Sequence, residues 1–253
     1  MNVKYAISDT AVMTGRVMKQ IFRSLDTIIT VLFMPVAMLL AMNYVFGGAM
    51  DLGGVGTVDY MLAGIIMMCV LSGVAYTAYR IHVDVQKGLF ERFHSMPVAK
   101  SSILGGHVLT SIVSNAVSVI AIILIGLLIG FRPEAGAVGW LMAALVIILF
   151  IAAMTWVSVF FGLAMKSVET AGVFAYLLIG LIFASSSFVP TGSMPPALAA
   201  FALHQPMTPI ADSVRLLLLG EPPGNSLPIA LAWCIGIGAA FWAMSVKAYG
   251  RRA

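Results

Sequence analysis

The stretch ILGGHVLTSIVSNAVSVIAIILIGLLIG, Ile103 to Gly130, contains no Asp, Glu, Lys or Arg, and His107 is its one ionisable side chain. A hydrocarbon core about 30 Å thick is crossed by about 20 consecutive apolar residues in helical form. This run is longer than that, so it can cross a bilayer with length left over for tilting or projecting. Five further runs share its character: Ile28–Phe46, Met61–Tyr79, Gly139–Met165, Ala171–Val189 and Pro228–Val246. None of them contains a carboxylate or a cationic side chain. The rest of the chain agrees, because only 9% of its residues are charged and 61% are hydrophobic, against about 25% charged in soluble domains. A mean hydropathy of +1.03 excludes a soluble fold. The expected class is an all-α integral membrane protein with six transmembrane helices.

Residues 1–27 lack the short apolar region and small-residue cleavage site of a signal peptide. They pattern as an amphipathic helix, with Ile7, Ala11, Val17, Ile21 and Leu25 at helical spacing and Arg16, Lys19 and Arg23 mostly elsewhere on the wheel. Such a helix lies in the membrane interface with its basic side toward headgroups; a solvated N-terminal helix is the alternative. Cys69 and Cys234 both fall inside apolar runs and read as small buried hydrophobes, outside any disulfide or metal site.

Basic residues alternate between loops. Lys4, Arg16, Lys19 and Arg23 precede the first run, Arg80, Lys87, Arg92 and Lys100 separate the second from the third, and Lys247, Arg251 and Arg252 follow the sixth. Lys166 lies between the fourth and fifth, while the opposite side carries only Arg132 and Arg215. The positive-inside rule then makes both termini and the loop after the second run cytoplasmic. The basic pI of about 9.2 reports this orientation and gives no reason to expect a nucleic-acid partner.

That loop holds the densest charge. On a helix from Ile81, the residues Ile81, Val85, Leu89, Phe93 and Met96 form an apolar stripe, with Asp84, Lys87, Glu91 and His94 off it. Pro97 predicts a break at Met96. The charged face suits a soluble partner, and the stripe suits packing beneath the third and fourth spans. A solvated loop helix with no partner is the alternative.

Proton-coupled transport ordinarily uses ionisable groups inside the membrane, and the runs offer only His107. No phosphate loop G-x-x-x-x-G-K-[ST], H-E-x-x-H or G-x-S-x-G occurs. The serines Ser185, Ser186 and Ser187 suit bonds to backbone carbonyls or neighbouring helices better than catalysis. The expected class is therefore a transport protein without enzymatic activity of its own, its energy source on another chain. A membrane scaffold or assembly protein, and then a secondary transporter, are the alternatives.

Between the fifth and sixth runs, residues 190–227 contain two apolar helical stretches, Ala197–Leu203 and Ile210–Leu219, with Pro196 and Pro209 as starts and Gly220 as a stop. Both are too short to cross, so a re-entrant outer hairpin or a flat external cap is expected. Asp212 and Arg215 stand at pairing distance, i and i+3. With Pro196 and Pro209 framing it and Leu217 and Leu218 inside it, the segment reads as an outer gate.

YVFGG (Tyr44–Gly48), DVQKGLFERFHSMPV (Asp84–Val98), IGFRP (Ile129–Pro133), FVPTGSMP (Phe188–Pro195) and HQPMTPIADSVRLLLLG (His204–Gly220) together resemble the permease subunits of type-2 ATP-binding-cassette exporters, especially daunorubicin-resistance permeases. The likeness covers nearly the whole chain, and the second and last motifs are the more specific. It implies a single permease domain over residues 1–253, working as two permease chains with two ATPase chains, the homodimer favoured. It implies a coupling helix at Asp84–Phe93, within a cytoplasmic loop 81–101, carrying Gly88, Glu91 and Arg92 and joined in ATPase docking by Asp84 and Lys87. ATP and Mg would be held by the ATPase, with no cofactor on this chain. The implied cargo is an amphipathic drug, antibiotic or lipid moved out across a prokaryotic plasma membrane. Met68, Tyr76, Phe174, Tyr176 and Phe183 are the candidate substrate path, suited to planar apolar rings.

Overall fold

A computed structural model of the chain describes residues 14–15, 18–19, 29–47, 55–88, 100–165 and 167–250. The expected N-terminal amphipathic helix and the segment from Leu89 to Ala99, with Glu91 and Arg92, lie outside these residues. Among the described residues every regular element is helical.

The element that organises the rest is α2 (Thr57–Gln86). Its thirty residues span about 45 Å at 1.5 Å per residue. Met61 to Leu71 are buried without interruption, because α2 is packed on most sides by other helices. These are α3 (Lys100–Ile129), α4 (Ala137–Ala164), α5 (Val168–Phe183) and α1 (Met34–Ala41). The last long helix, α8 (Ser226–Gly250), packs on α4 at the margin.

Lipid tails are as apolar as leucine, so helices in a bilayer associate through close packing and buried polar contacts. Both are present along α2. The Thr77 hydroxyl donates to Ser111 Oγ of α3 at 3.2 Å, and Ser111 in turn meets Thr155 of α4 at 3.0 Å. Asn115 Nδ2 donates to the Ser111 carbonyl at 2.8 Å. A chain of uncharged polar groups thus ties three helices together deep in the bundle.

Among the described residues four helices, within α2, α3, α4 and α8, are long and apolar enough to cross a membrane. The first and fifth runs give shorter apolar helices, Val31–Val45 and Glu169–Phe183. In the first, α1 sits between the π-helical turns Ile29–Phe33 and Met42–Phe46. Pro35, which cannot donate a backbone hydrogen bond to Val31, stands next to the earlier turn. In the fifth, the helix stops at Phe183 instead of the expected Val189. The sixteen residues of α5 rise about 24 Å, less than the ~30 Å core.

The stretch after it contains α6 (Pro196–His204) and α7 (Met207–Leu218). Pro196 opens α6 as expected. Pro209 does not open α7, which begins two residues earlier, at Met207. Gly220, at φ +76°, ends α7, and the Glu221 N–H returns to the Leu216 carbonyl at 2.8 Å.

Candidate functional site

At the Gln86 end of α2, the sequence suggests a separate helix starting at Ile81. The structure corrects this: α2 continues through Ile81 to Gln86. Gly88 follows at φ +64°, a left-handed conformation open to glycine at little cost. Of the expected docking residues, Lys87 is exposed. Asp84 is turned inward, only 18% exposed, with Oδ2 3.2 Å from Nε2 of the buried His107 on α3. Its neighbour is therefore a helix of its own chain. Glu91 and Arg92 fall outside the described residues.

The five candidate path residues do not lie along one path. Met68, Tyr76 and Tyr176 line a cleft of about 440 Å³ between α1, α2 and α5. Tyr79 joins them, its ring 5.8 Å from that of Tyr76, and Arg80 lies 5.2 Å over the Tyr76 ring. Phe174 lines a different cleft, of about 700 Å³, between α4, α5, α8 and the start of α7. The reason is helical geometry: two residues along α5 turn its surface about 200°, so Phe174 and Tyr176 face opposite ways. Phe183 lines neither cleft; it is half exposed and its ring sits 5.0 Å from Phe188. α5 is thus a wall with a cleft on each side, and among the described residues no charged side chain lines either.

The strongest polar constellation lies at the other end of α2, around Arg215 of α7. Its side chain is 8% exposed, and the guanidinium stacks 3.8 Å over the Tyr60 ring. Nε donates to the Tyr60 carbonyl at 2.8 Å, Nη1 to Asp212 Oδ1 at 2.6 Å, and Nη2 to the Ser186 carbonyl at 2.7 Å. Tyr60 Oη also donates to the Ser186 carbonyl, at 3.0 Å, and Ser186 Oγ donates to Asp212 Oδ1 at 2.7 Å. The turn after α5 is held from a second side by α7, since the Ser186 N–H donates to Thr208 Oγ1 at 3.2 Å. Gln205 Nε2 donates to the Leu181 and Ala184 carbonyls, two groups that the end of a helix leaves open. Gly64 lets α2 pass this turn: a Cβ there would stand 2.6 Å from the Ser187 carbonyl oxygen.

The expected Asp212–Arg215 pair is therefore present, but inside a buried node joining α2, the end of α5 and α7. Of the residues assigned to an outer gate, Pro196 is exposed, whereas Pro209, Leu217 and Leu218 are buried in the packing of α7. Tyr60 belongs to no motif the sequence offers, and Gln205 and Thr208 lie within the His204–Gly220 motif without a role assigned to them there. Ser186 was visible as part of the serine triple, and its backbone carbonyl matters as much as its hydroxyl. Among the described residues no group of His, Cys, Asp and Glu gathers that could hold a metal ion. The geometry is suited to holding helices and bounding apolar space; the Arg215, Tyr60 and Ser186 polar groups are engaged, while the buried Gln205 Oε1 has no hydrogen-bond partner among the described residues.

Residues 8–219 match the ABC-2 type transporter family, a span reaching from the N-terminal segment through the Arg215 helix. The chain belongs to the ABC-2 type transporter family. It is 28% identical over 223 residues to the daunorubicin resistance ABC transporter permease protein DrrB1 of Streptomyces coeruleorubidus, covering 88% of this chain and 79% of that one. It is 25% identical over 239 residues to the probable doxorubicin resistance ABC transporter permease protein DrrC of Mycobacterium tuberculosis, covering 91% and 84%. Within this ABC-2 permease the Arg215 node is the end of the family match, and α8 lies beyond it.

Proposed function

We propose that this ABC-2 permease is the membrane half of an ATP-driven exporter that moves an amphipathic drug, antibiotic or lipid-like molecule out across a prokaryotic plasma membrane. A separate ATP-binding-cassette ATPase hydrolyses ATP with Mg, and two permease copies form the working unit. In this reading α1 and α5 complete six crossings, both termini are cytoplasmic, and the ATPase docks on the segment between α2 and α3. Lys87, Gly88, Glu91 and Arg92 meet the ATPase there; Asp84 braces the segment through His107. The α6–α7 hairpin lies on the outer side as a gate, opened by movement of the whole helix pair around the Arg215 node.

The observation that carries the reading is the match over most of the chain to permeases named for resistance to daunorubicin and doxorubicin. The cleft between α1, α2 and α5 supports it, because described lining residues without charged side chains suit apolar cargo.

Copurification with the ATPase, followed by substrate-stimulated ATP hydrolysis, tests it. Glu91→Lys is expected to weaken docking by about 2–5 kcal/mol if that charge is desolvated at the interface, and by much less at a rim. Gly88→Leu is expected to obstruct docking and also to strain the end of α2. Normal ATPase binding and export by both variants would remove the segment from the mechanism and favour a scaffold.

A further inference from the structure

The 700 Å³ cleft on the α4 and α8 side of α5 has a chemistry of its own. α5 leans on α2 along one face and touches α7 near its end, but makes no comparable approach to α4 or α8. The gap is walled by a ladder of rings, Phe174 on Phe161 at 4.7 Å and 26°, then Phe161 on Phe241 at 6.2 Å and 29°. Among the described lining residues Thr170 supplies the only hydroxyl, and none of them brings a side-chain amide or charge. A polar ligand group brought in here would lose its partners. Water needs two to four of them and would find one hydroxyl.

The open side is equally informative. Val173 and Leu177, which line the cleft, are 66% and 59% exposed. They belong to the apolar surface that a membrane-embedded helix turns to lipid, so the cleft is continuous with the bilayer hydrocarbon. Its extent along α5, from Thr170 to Leu181, is about 17 Å at 1.5 Å per residue. One leaflet contributes about half of a ~30 Å core, much the same depth. At its far end Pro206 and Met207, the start of α7, close it.

We propose that this cleft is a binding site for one acyl chain of a bilayer phospholipid. The chain enters sideways past Val173 and Leu177 and lies along the ring ladder. Its headgroup stays at the Thr170 end and its methyl end reaches Met207. The occupant is hydrocarbon because flat apolar walls reward dispersion contact and nothing in the cleft recognises a polar group. It is one chain of a lipid because the cleft is one leaflet deep and opens to the leaflet along its length. The site needs only the bilayer, so it stands apart from the exporter reading and is tested without the ATPase.

The test uses the full chain in phosphatidylglycerol–phosphatidylethanolamine vesicles carrying a trace of phosphatidylcholine with an acyl-chain diazirine, followed by photolysis and peptide mapping. Labelling is expected at Phe161, Phe174 and Phe241 well above that at Leu141 and Ile235, which are exposed but outside the cleft. Val173→Trp with Leu177→Trp should lower cleft labelling about tenfold, equivalent to ~1.4 kcal/mol of lost binding, and leave Leu141 unchanged. A diazirine near the carboxyl end should label near Thr170, and one near the methyl end should label near Met207; this depth order needs no variant. Uniform labelling of cleft and exposed positions, absence of the depth order, or undiminished labelling in a folded double-Trp variant would each overturn the site. So would an efficient disulfide between copies carrying Val173→Cys, which would put a second permease chain where the lipid is proposed.

Discussion

The helices α2 and α8 contain windows of equal hydropathy, 1.9, yet 78% of that window is buried within the protein in α2 and 17% in α8. In water such a difference would be read from apolar content. In a bilayer both surfaces are satisfied, one by protein and one by lipid, so apolar content is silent about position. What separates them is small and polar detail. α2 carries Gly64 against the Ser187 turn, Thr77 in the Ser111–Thr155 chain, and Tyr60 under Arg215. α8 carries Trp233, Ile235 and Trp242 on exposed faces.

The largest effect that can break this contrast lies at the α2–α7 contact. Arg215→Met is expected to cost about 3–5 kcal/mol, toward the lower figure because Asp212 is 29% exposed. Adding Asp212→Leu should recover part of the loss by removing the stranded carboxylate. Unfolding of the detergent-solubilised protein measures both, and a loss below about 1 kcal/mol would show that the node does not hold α7.

A paired glycine substitution is next in size. Gly64→Leu must displace the Ser187 backbone and should destabilise by about 1–3 kcal/mol. At Gly236 on α8 an added Cβ would meet nothing within 4 Å, so Gly236→Leu should be neutral or gain up to about 1 kcal/mol from helix propensity. Equal effects at the two sites would erase the distinction between the helices.

The smallest expected effect is that of Ile235→Ala, on a residue 61% exposed. A change within about 0.5 kcal/mol is expected in the solubilised permease. A substantially larger one would mean that protein, and not lipid, covers this face of α8.

Much of the helical framework was legible because long apolar runs have few other readings. The ends were harder. Val189 looked like the end of the fifth helix because nothing in the run from Phe183 to Val189 is a helix breaker by itself. The helix ends earlier, where the serine turn is engaged by Arg215 and Thr208, residues more than twenty positions away. Gly220, by contrast, signals its stop locally and was read correctly. Asp84 was placed on a solvent-facing surface by counting within one helix, but its partner His107 lies on the next. The separation of the candidate path residues into two clefts was available in the numbering, since Phe174 and Tyr176 are two residues apart. The Arg215 node was half legible: the i, i+3 pair and the serine triple were both visible, but their meeting is a property of the tertiary fold.

The continuity of α2 has a mechanical consequence. From Tyr60 under the guanidinium to Asp84 beside His107 is about 36 Å of helix, without a proline or a π-turn within it. Such a rod neither stretches nor folds under modest load, so a push or twist applied at one tip arrives at the other almost undiminished. α1, by contrast, has its i to i−4 hydrogen-bond ladder interrupted by a π-turn at each end. Between these two helices, the unbroken path from one end of the bundle to the other runs along α2.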